Sequence, residues 1–247
     1  MTNIRKEEIS VFTSQFLEVT RERGVAVITM RHGHSNAFNA GFLKDLRKCA
    51  GRLESDPEIR ATVFTGGIEK VFSTGLDVPW MTANPSAVKP FVEEMFSFMA
   101  DLLLFPLPTV AAVNGHAMAG GTMFVLVMDY RFMREEGAFI SLPEINYKVI
   151  WPPSMLELVR RRVAYNVFRD LVLQGKRFYG PEALAAGIVD GLYDGGELLA
   201  RSVEFAGEMG KKDRAVYAHI KRTMQGDLAD MIRGDDVSEF INKSFLT

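Results

Sequence analysis

Two stretches near the start of the chain, residues 16–21 and 25–30, alternate apolar and polar side chains around Gly24 and predict a β-hairpin. The period then changes. Over residues 39–53, Phe42, Leu46 and Leu53 fall roughly on one face of a helix. Residues 61–65 form a short β-branched run that stops at Gly66 and Gly67. Residues 88–104 set Phe91, Met95, Phe98 and Leu102 at helical spacing. Residues 109–113 predict an apolar strand, and Gly120 and Gly121 lead into a buried helix over 122–128. Strands alternating with helices predict an α/β fold with βαβ units. After Pro152 the pattern is mostly helical, and Pro181 fits the first turn of a helix. No fixed-period repeat or Pro/Gly/Ser linker divides the chain. The sequence reads as an α/β core followed by a helical C-terminal part.

Composition narrows the function classes. The 247 residues are 47% hydrophobic and 24% charged, enough apolar surface for a sizeable core. Lys plus Arg number 29 against 31 Asp plus Glu, a net charge of -2, which argues against a nucleic-acid groove. The single cysteine, Cys49, excludes an internal disulfide and reads as a core or surface residue of a helix, not a nucleophile. The apolar run 102–113 is broken by Pro106 and Pro108 and is too short to span a bilayer. Residues 1–10 are polar and lack the apolar stretch of a secretory signal. No hydrolase serine elbow, phosphate loop or dinucleotide fingerprint occurs. His32, His34, His116 and His219 do not form a paired helical ligand motif, so no metal site is expected.

Two glycine-containing turns carry the chemical information. The first is Val71-Phe72-Ser73-Thr74-Gly75-Leu76-Asp77, the second Val113-Asn114-Gly115-His116-Ala117-Met118-Ala119-Gly120-Gly121. Each follows a strand pattern, and the second precedes an apolar helix. A helix start presents N–H groups without internal partners, and glycine lets a ligand approach the backbone. Two such turns can offer two donors to one developing oxyanion. On spacing alone the plainer reading, two tight loops with glycine chosen for φ, is the stronger.

Both turns resemble the paired oxyanion-hole motifs of the crotonase (enoyl-CoA hydratase/isomerase) superfamily. Leu142-Pro143-Glu144 resembles its third landmark, and Gln174-Gly175-Lys176-Arg177 with Ala185-Ala186-Gly187-Ile188-Val189-Asp190 resembles a later one. The resemblance covers roughly residues 16–225. It implies a crotonase-like ββα spiral core over residues 1–190 and a helical C-terminal trimerisation region over 191–247. It implies that the N–H groups of Leu76 and Gly120 hold the thioester oxygen of an acyl-coenzyme A. Ser73, Gly75, Asp77, Trp80, Met118, Gly121, Met123 and Trp151 become substrate-binding candidates, and Met81 and Phe96 further pocket walls. Asp77 would orient the oxyanion loop or cap the segment after it. His116 is expected to be structural.

The departure from the hydratase pattern is at the carboxylates. Hydratases of the family use two glutamates. The first position is here Met123, and the second matches Glu144. One carboxylate in an apolar cleft is the pattern of the Δ3,Δ2-enoyl-CoA isomerases, with Glu144 as the sole acid/base and a raised pKa. Asn114-Gly115-His116-Ala117 and Asp129-Tyr130-Arg131-Phe132-Met133-Arg134 look most like the short plant-type peroxisomal isomerases. The last residues are nevertheless not a Ser-Lys-Leu address. Trp151-Pro152-Pro153 replaces a usual Gly-rich turn. The resemblance implies fatty-acid β-oxidation, a homotrimer or hexamer, and no cofactor beyond the coenzyme A of the substrate. Lys211, Lys212 and Lys221 are candidate phosphate-binding cations. Competing readings are another crotonase enzyme (hydratase, decarboxylase or thioester hydrolase) and a non-catalytic acyl-CoA-binding protein.

Overall fold

The computed structural model describes residues 9–245. The readings on the N-terminal leader and the C-terminal address therefore lie largely outside the described residues. Strands β1 (Ile9–Thr13), β2 (Leu17–Glu22) and β3 (Val25–Met30) form an antiparallel meander. Helix α1 (Ala40–Ser55) follows. The Asn39 side chain caps it by accepting the Phe42 N–H at 3.0 Å, and Phe42, Leu43, Leu46, Cys49 and Leu53 form its buried face. Then come β4 (Ala61–Gly66), β5 (Lys70–Ser73), α2 (Val78–Ala83), α3 (Pro85–Leu103), β6 (Thr109–Val113), β7 (Gly115–Met118) and α4 (Gly120–Leu126). The chain continues through β8 (Tyr130–Arg134), β9 (Phe139–Ser141), a 3-10 turn (Pro143–Tyr147), α5 (Pro153–Arg162) and α6 (Tyr165–Gln174). It ends with β10 (Phe178–Tyr179), α7 (Gly180–Ala185), β11 (Gly191–Tyr193), α8 (Leu198–Met209), α9 (Arg214–Gly234) and α10 (Ser238–Phe245).

The strands make two sheets. The larger has the order β1-β2-β3-β4-β6-β8-β11 and is parallel from β3 onward. Its central strands are apolar on both faces because both are covered. On one face, Val25, Val27, Val63, Val110 and Phe132 pack with Leu198 and Val203 of α8. On the other, Ile28, Phe64 and Ala111 join the main core with α1, α3 and α4. The smaller sheet has the order β10-β9-β7-β5, with β5, β7 and β9 parallel. These strands are three or four residues long, too short for the alternation by which sequence reading finds strands.

The part after Pro152, read as mostly helical, holds α5 to α10 together with two short strands, β10 and β11, which belong to the sheets. The expected boundary at residue 190 falls one residue before β11, the edge strand of the larger sheet, so the core continues past it. Cys49 is buried, and burial pushes its thiol up to about 12.

Candidate active site

The site forms where three parallel strands end together. Val71 pairs with His116, Ser73 with Ala117, and Met118 with Ser141, so the segments leaving β5, β7 and β9 emerge side by side. Ligands of α/β sheets commonly bind outside such carboxyl ends. The segment after β5 is pinned by Phe38, whose N–H donates to Gly75 C=O at 2.7 Å and whose C=O accepts the Asp77 N–H at 2.9 Å. This bridge uses groups on either side of Leu76, so the N–H of Leu76 itself faces away from Phe38. After β7, Ala119 turns the chain into α4 with φ 49° and ψ -126°, a conformation that costs an alanine on the order of 1–3 kcal/mol. It is held by its N–H donating to Ser141 C=O at 3.1 Å. Helix α4 is itself fixed by Phe124, whose ring meets those of Phe38, Phe64, Phe72 and Phe98.

The two turns touch at backbone level. A Cβ on Gly75 would lie 2.6 Å from the Gly120 nitrogen, and Gly75 has φ +93°, so glycine is required there twice over. A Cβ on Gly121 would meet the Ser73 carbonyl oxygen at 2.2 Å. Close approach of main chains thus dictates these glycines. Among the described residues, neither the Leu76 nor the Gly120 N–H has a protein acceptor, while the neighbouring N–H groups of Thr74, Gly75, Asp77 and Ala119 are bonded.

Both residues line a cavity of about 440 Å³. Its walls are apolar: Met95, Phe96 and Met99 of α3, Met118, Met123, Met155, then Val149, Ile150, Trp151 and Pro152. Glu144, in the 3-10 turn after β9, is the one charged residue among the lining residues. It is 9% exposed, and its Oε2 is buried without a hydrogen-bond partner among the described residues. Burial pushes its carboxyl up to about 7, against a smaller lowering by a backbone hydrogen bond. Its main chain is anchored by the Val149 N–H donating to Glu144 C=O at 3.1 Å.

Of the sequence-derived candidates, Leu76, Met118, Gly120, Met123, Glu144 and Trp151 line the cavity, as does Phe96. Ser73, Gly75, Asp77, Trp80 and Gly121 do not. Ser73 is fully buried, donates from Oγ to Asn36 C=O at 2.8 Å and accepts the Gly75 N–H at 3.2 Å. Asp77 caps α2 by accepting the Trp80 N–H at 3.0 Å, and it takes a second bond from Asn39 Nδ2 at 3.2 Å. Trp80 packs edge-on against Phe91 at 5.2 Å, and Met81 is in the core. These residues shape the turns from behind.

Lys221 as a phosphate ligand is corrected. The residue is 6% exposed, and its ammonium donates to Asp129 Oδ2 at 2.9 Å, where Tyr217 also donates at 3.0 Å. Lys211 pairs with Glu208, and neither it nor Lys212 lines the cavity. His116 stands against the Phe139 ring at 4.2 Å, outside the lining. Sequence reading missed Thr74, Val78, Tyr147 and, above all, Phe240, Ser244 and Phe245 of α10. The spacing of Phe240 and Ser244, four residues apart on an amphipathic helix, was the available signal.

Residues 20–235 match the family model described as Enoyl-CoA hydratase/isomerase. The chain is 31% identical to enoyl-CoA delta isomerase 3 of Arabidopsis thaliana, covering 83% of this chain and 90% of that protein. It is 33% identical to the peroxisomal enoyl-CoA delta isomerase 2 of the same plant, with the same coverage. The apo structure of an enoyl-CoA isomerase from Mycobacterium tuberculosis superposes with a TM-score of 0.82 at 28% identity, covering 90% of this chain and 96% of that one. The fold that brings these turns and Glu144 to the cavity is thus shared with that structure, and the chain belongs to the enoyl-CoA hydratase/isomerase family.

Proposed function

We propose that the protein is a Δ3,Δ2-enoyl-CoA isomerase acting on unsaturated fatty acyl thioesters, as β-oxidation requires. The observation that carries this reading is the lone carboxylate. Glu144 is the one charged side chain among the described residues that line the cavity, and Met123 occupies the position at which hydratases of the family carry their other glutamate. The names of the Arabidopsis relatives support the same reading.

The chemistry follows from the geometry. The thioester oxygen accepts hydrogen bonds from the N–H groups of Leu76 and Gly120. Ionised Glu144 removes a proton from C2, and the charge that develops on the oxygen is met by those two preorganised donors. Removal of one such donor in a comparable oxyanion hole costs about 3–4 kcal/mol. The carboxylic acid form of Glu144 then gives the proton to C4, leaving the double bond between C2 and C3. A base with a pKa of about 7 suits both halves, since it is partly ionised at neutral pH and acidic enough to return the proton. The Met123 thioether neither binds nor deprotonates a water, so hydration lacks a second polar group.

Feeding a 3-enoyl-CoA to the purified protein tests the reading, with products resolved by chromatography and mass. The expected product is 2-enoyl-CoA without 3-hydroxyacyl-CoA. Hydroxyacyl-CoA as the main product overturns the isomerase assignment, and Glu144→Gln turnover at the wild-type level overturns the role of Glu144.

A further inference from the structure

The wall beside Glu144 is built from two segments far apart in sequence. One is the loop 149–152, which carries Trp151. The other is α10, which contributes Phe240, Ser244 and Phe245 to the cavity. The two are fastened together: the Ile150 N–H donates to Ser244 Oγ at 3.1 Å. The preceding residue, Val149, bonds the Glu144 main chain, so carboxylate, loop and helix form one connected assembly. The Phe245 ring stands edge-on to Phe240 at 5.3 Å, and the Phe240 ring lies 6.1 Å from that of Phe96 of α3. By contrast, no residue of the segment 80–90 lines the cavity.

The attachment of α10 is slight. Three residues, Asp235 to Val237, join it to α9. The Lys89 ammonium donates to Ser238 Oγ at 2.9 Å at its start, and the Asp235 carboxylate accepts the Ser154 N–H at 3.1 Å at the hinge. Apart from these and the Ser244 bond to Ile150, it is held by the apolar side chains of Phe240, Ile241 and Phe245.

We propose that α10 and Trp151 form a water seal over Glu144, and that this seal, alongside the missing second carboxylate at Met123, keeps the proton taken from C2 on the path to C4 and limits hydration. The proposal rests on the isomerase reading above. The physical reason is that a carboxylate with no ion-pair partner responds to its solvent. With water excluded, the proton taken from C2 has nowhere to go except C4. With water admitted, the proton exchanges, and water is available to add its oxygen at C3 and a hydrogen at C2. The aromatic bulk of Trp151 and Phe245 is what occupies that space.

The test is isotopic. Wild-type protein, Phe245→Ala and Trp151→Ala are each given a 3-enoyl-CoA in D2O, and deuterium at C4 of the product is measured by mass spectrometry at early conversion. Wild type is expected to return mostly protium. Both variants are expected to raise the deuterium content at least twofold, to lower the acid limb of kcat/KM from about 7 toward the ordinary carboxylate value of 4.5, and to form detectable 3-hydroxyacyl-CoA. Trp151→Phe, which keeps the bulk and drops the N–H, is expected to reverse most of the Trp151→Ala effect. Full deuteration by wild type, or variants that match wild type in isotope content and pH profile, overturns the seal. Absence of any isomerisation by wild type is a different result and overturns the reading of function.

Discussion

At the scale of single residues, the site turns on two positions, Glu144 and Met123. Glu144 is a buried carboxyl with a folded-state pKa of about 7 against an ordinary 4.5. Between those values the folded state binds more protons than the unfolded chain, so stability falls as pH rises from 4.5 to 7. At pH 8 the burial of the charge costs about 3 kcal/mol by linkage. Glu144→Gln is therefore expected to be more stable than wild type at pH 8 by up to that amount, and the gain is expected to vanish below pH 4.5. Urea unfolding at the two pH values measures it, and an equal difference at both would show that the carboxyl is not buried as described. Met123→Glu makes the complementary change. It places a second carboxyl in the same cavity, which should push the Glu144 pKa further up and introduce hydration. The assay is the ratio of 3-hydroxyacyl-CoA to 2-enoyl-CoA from 3-enoyl substrate. An unchanged ratio would mean that the identity of residue 123 does not set the reaction.

At the scale of elements, main-chain approach matters more than side-chain chemistry. Gly75→Ala would drive a methyl group toward the Gly120 nitrogen and impose φ +93° on an L residue. It is expected to lower kcat by about 100-fold or more through the oxyanion donors, with substrate affinity less affected. A loss confined to KM would place the two N–H groups outside the chemistry. Helix α9 is tied to the end of β6 through Asp129, which accepts the Thr109 N–H at 3.0 Å together with Lys221 and Tyr217. Burial pushes the Lys221 ammonium down, and Asp129 opposes that. Asp129→Ala leaves a buried cation unpaired and is expected to cost about 3–5 kcal/mol, read as a lower urea midpoint at constant slope. A loss under 1 kcal/mol would mean that the pair is solvated.

At the scale of the whole molecule, the outer face of α9 presents Val216, Ile220 and Met224 at four-residue spacing, each at least half exposed. We propose that this stripe supports self-association, in line with the trimers or hexamers the family resemblance implies. Light scattering behind size exclusion is expected to give three or six chains for wild type, and fewer for Met224→Glu. Wild type at the mass of one chain would overturn this.

The sequence by itself determined the helices α1 and α3, the central strands, and the residue types that carry chemistry. Apolar periodicity over ten or more residues reports burial directly, and Gly75, Gly120 and Glu144 stand in motifs whose spacing is local. The sequence did not disclose β5, β7 and β9, because strands this short are specified by their neighbours and leave almost no periodic trace. It could not separate Gly75, Gly121 and Asp77, which frame the turns, from the residues that face the cavity. Nor could it assign Lys221 to Asp129, 92 positions away, or bring α10 to the cavity wall beside Glu144. Those are long-range pairings. They exist only once the parallel strands have aligned their ends and the C-terminal helices have folded back. Tertiary structure alone decided which apolar residues surround the carboxylate, and that surrounding is what sets its acidity.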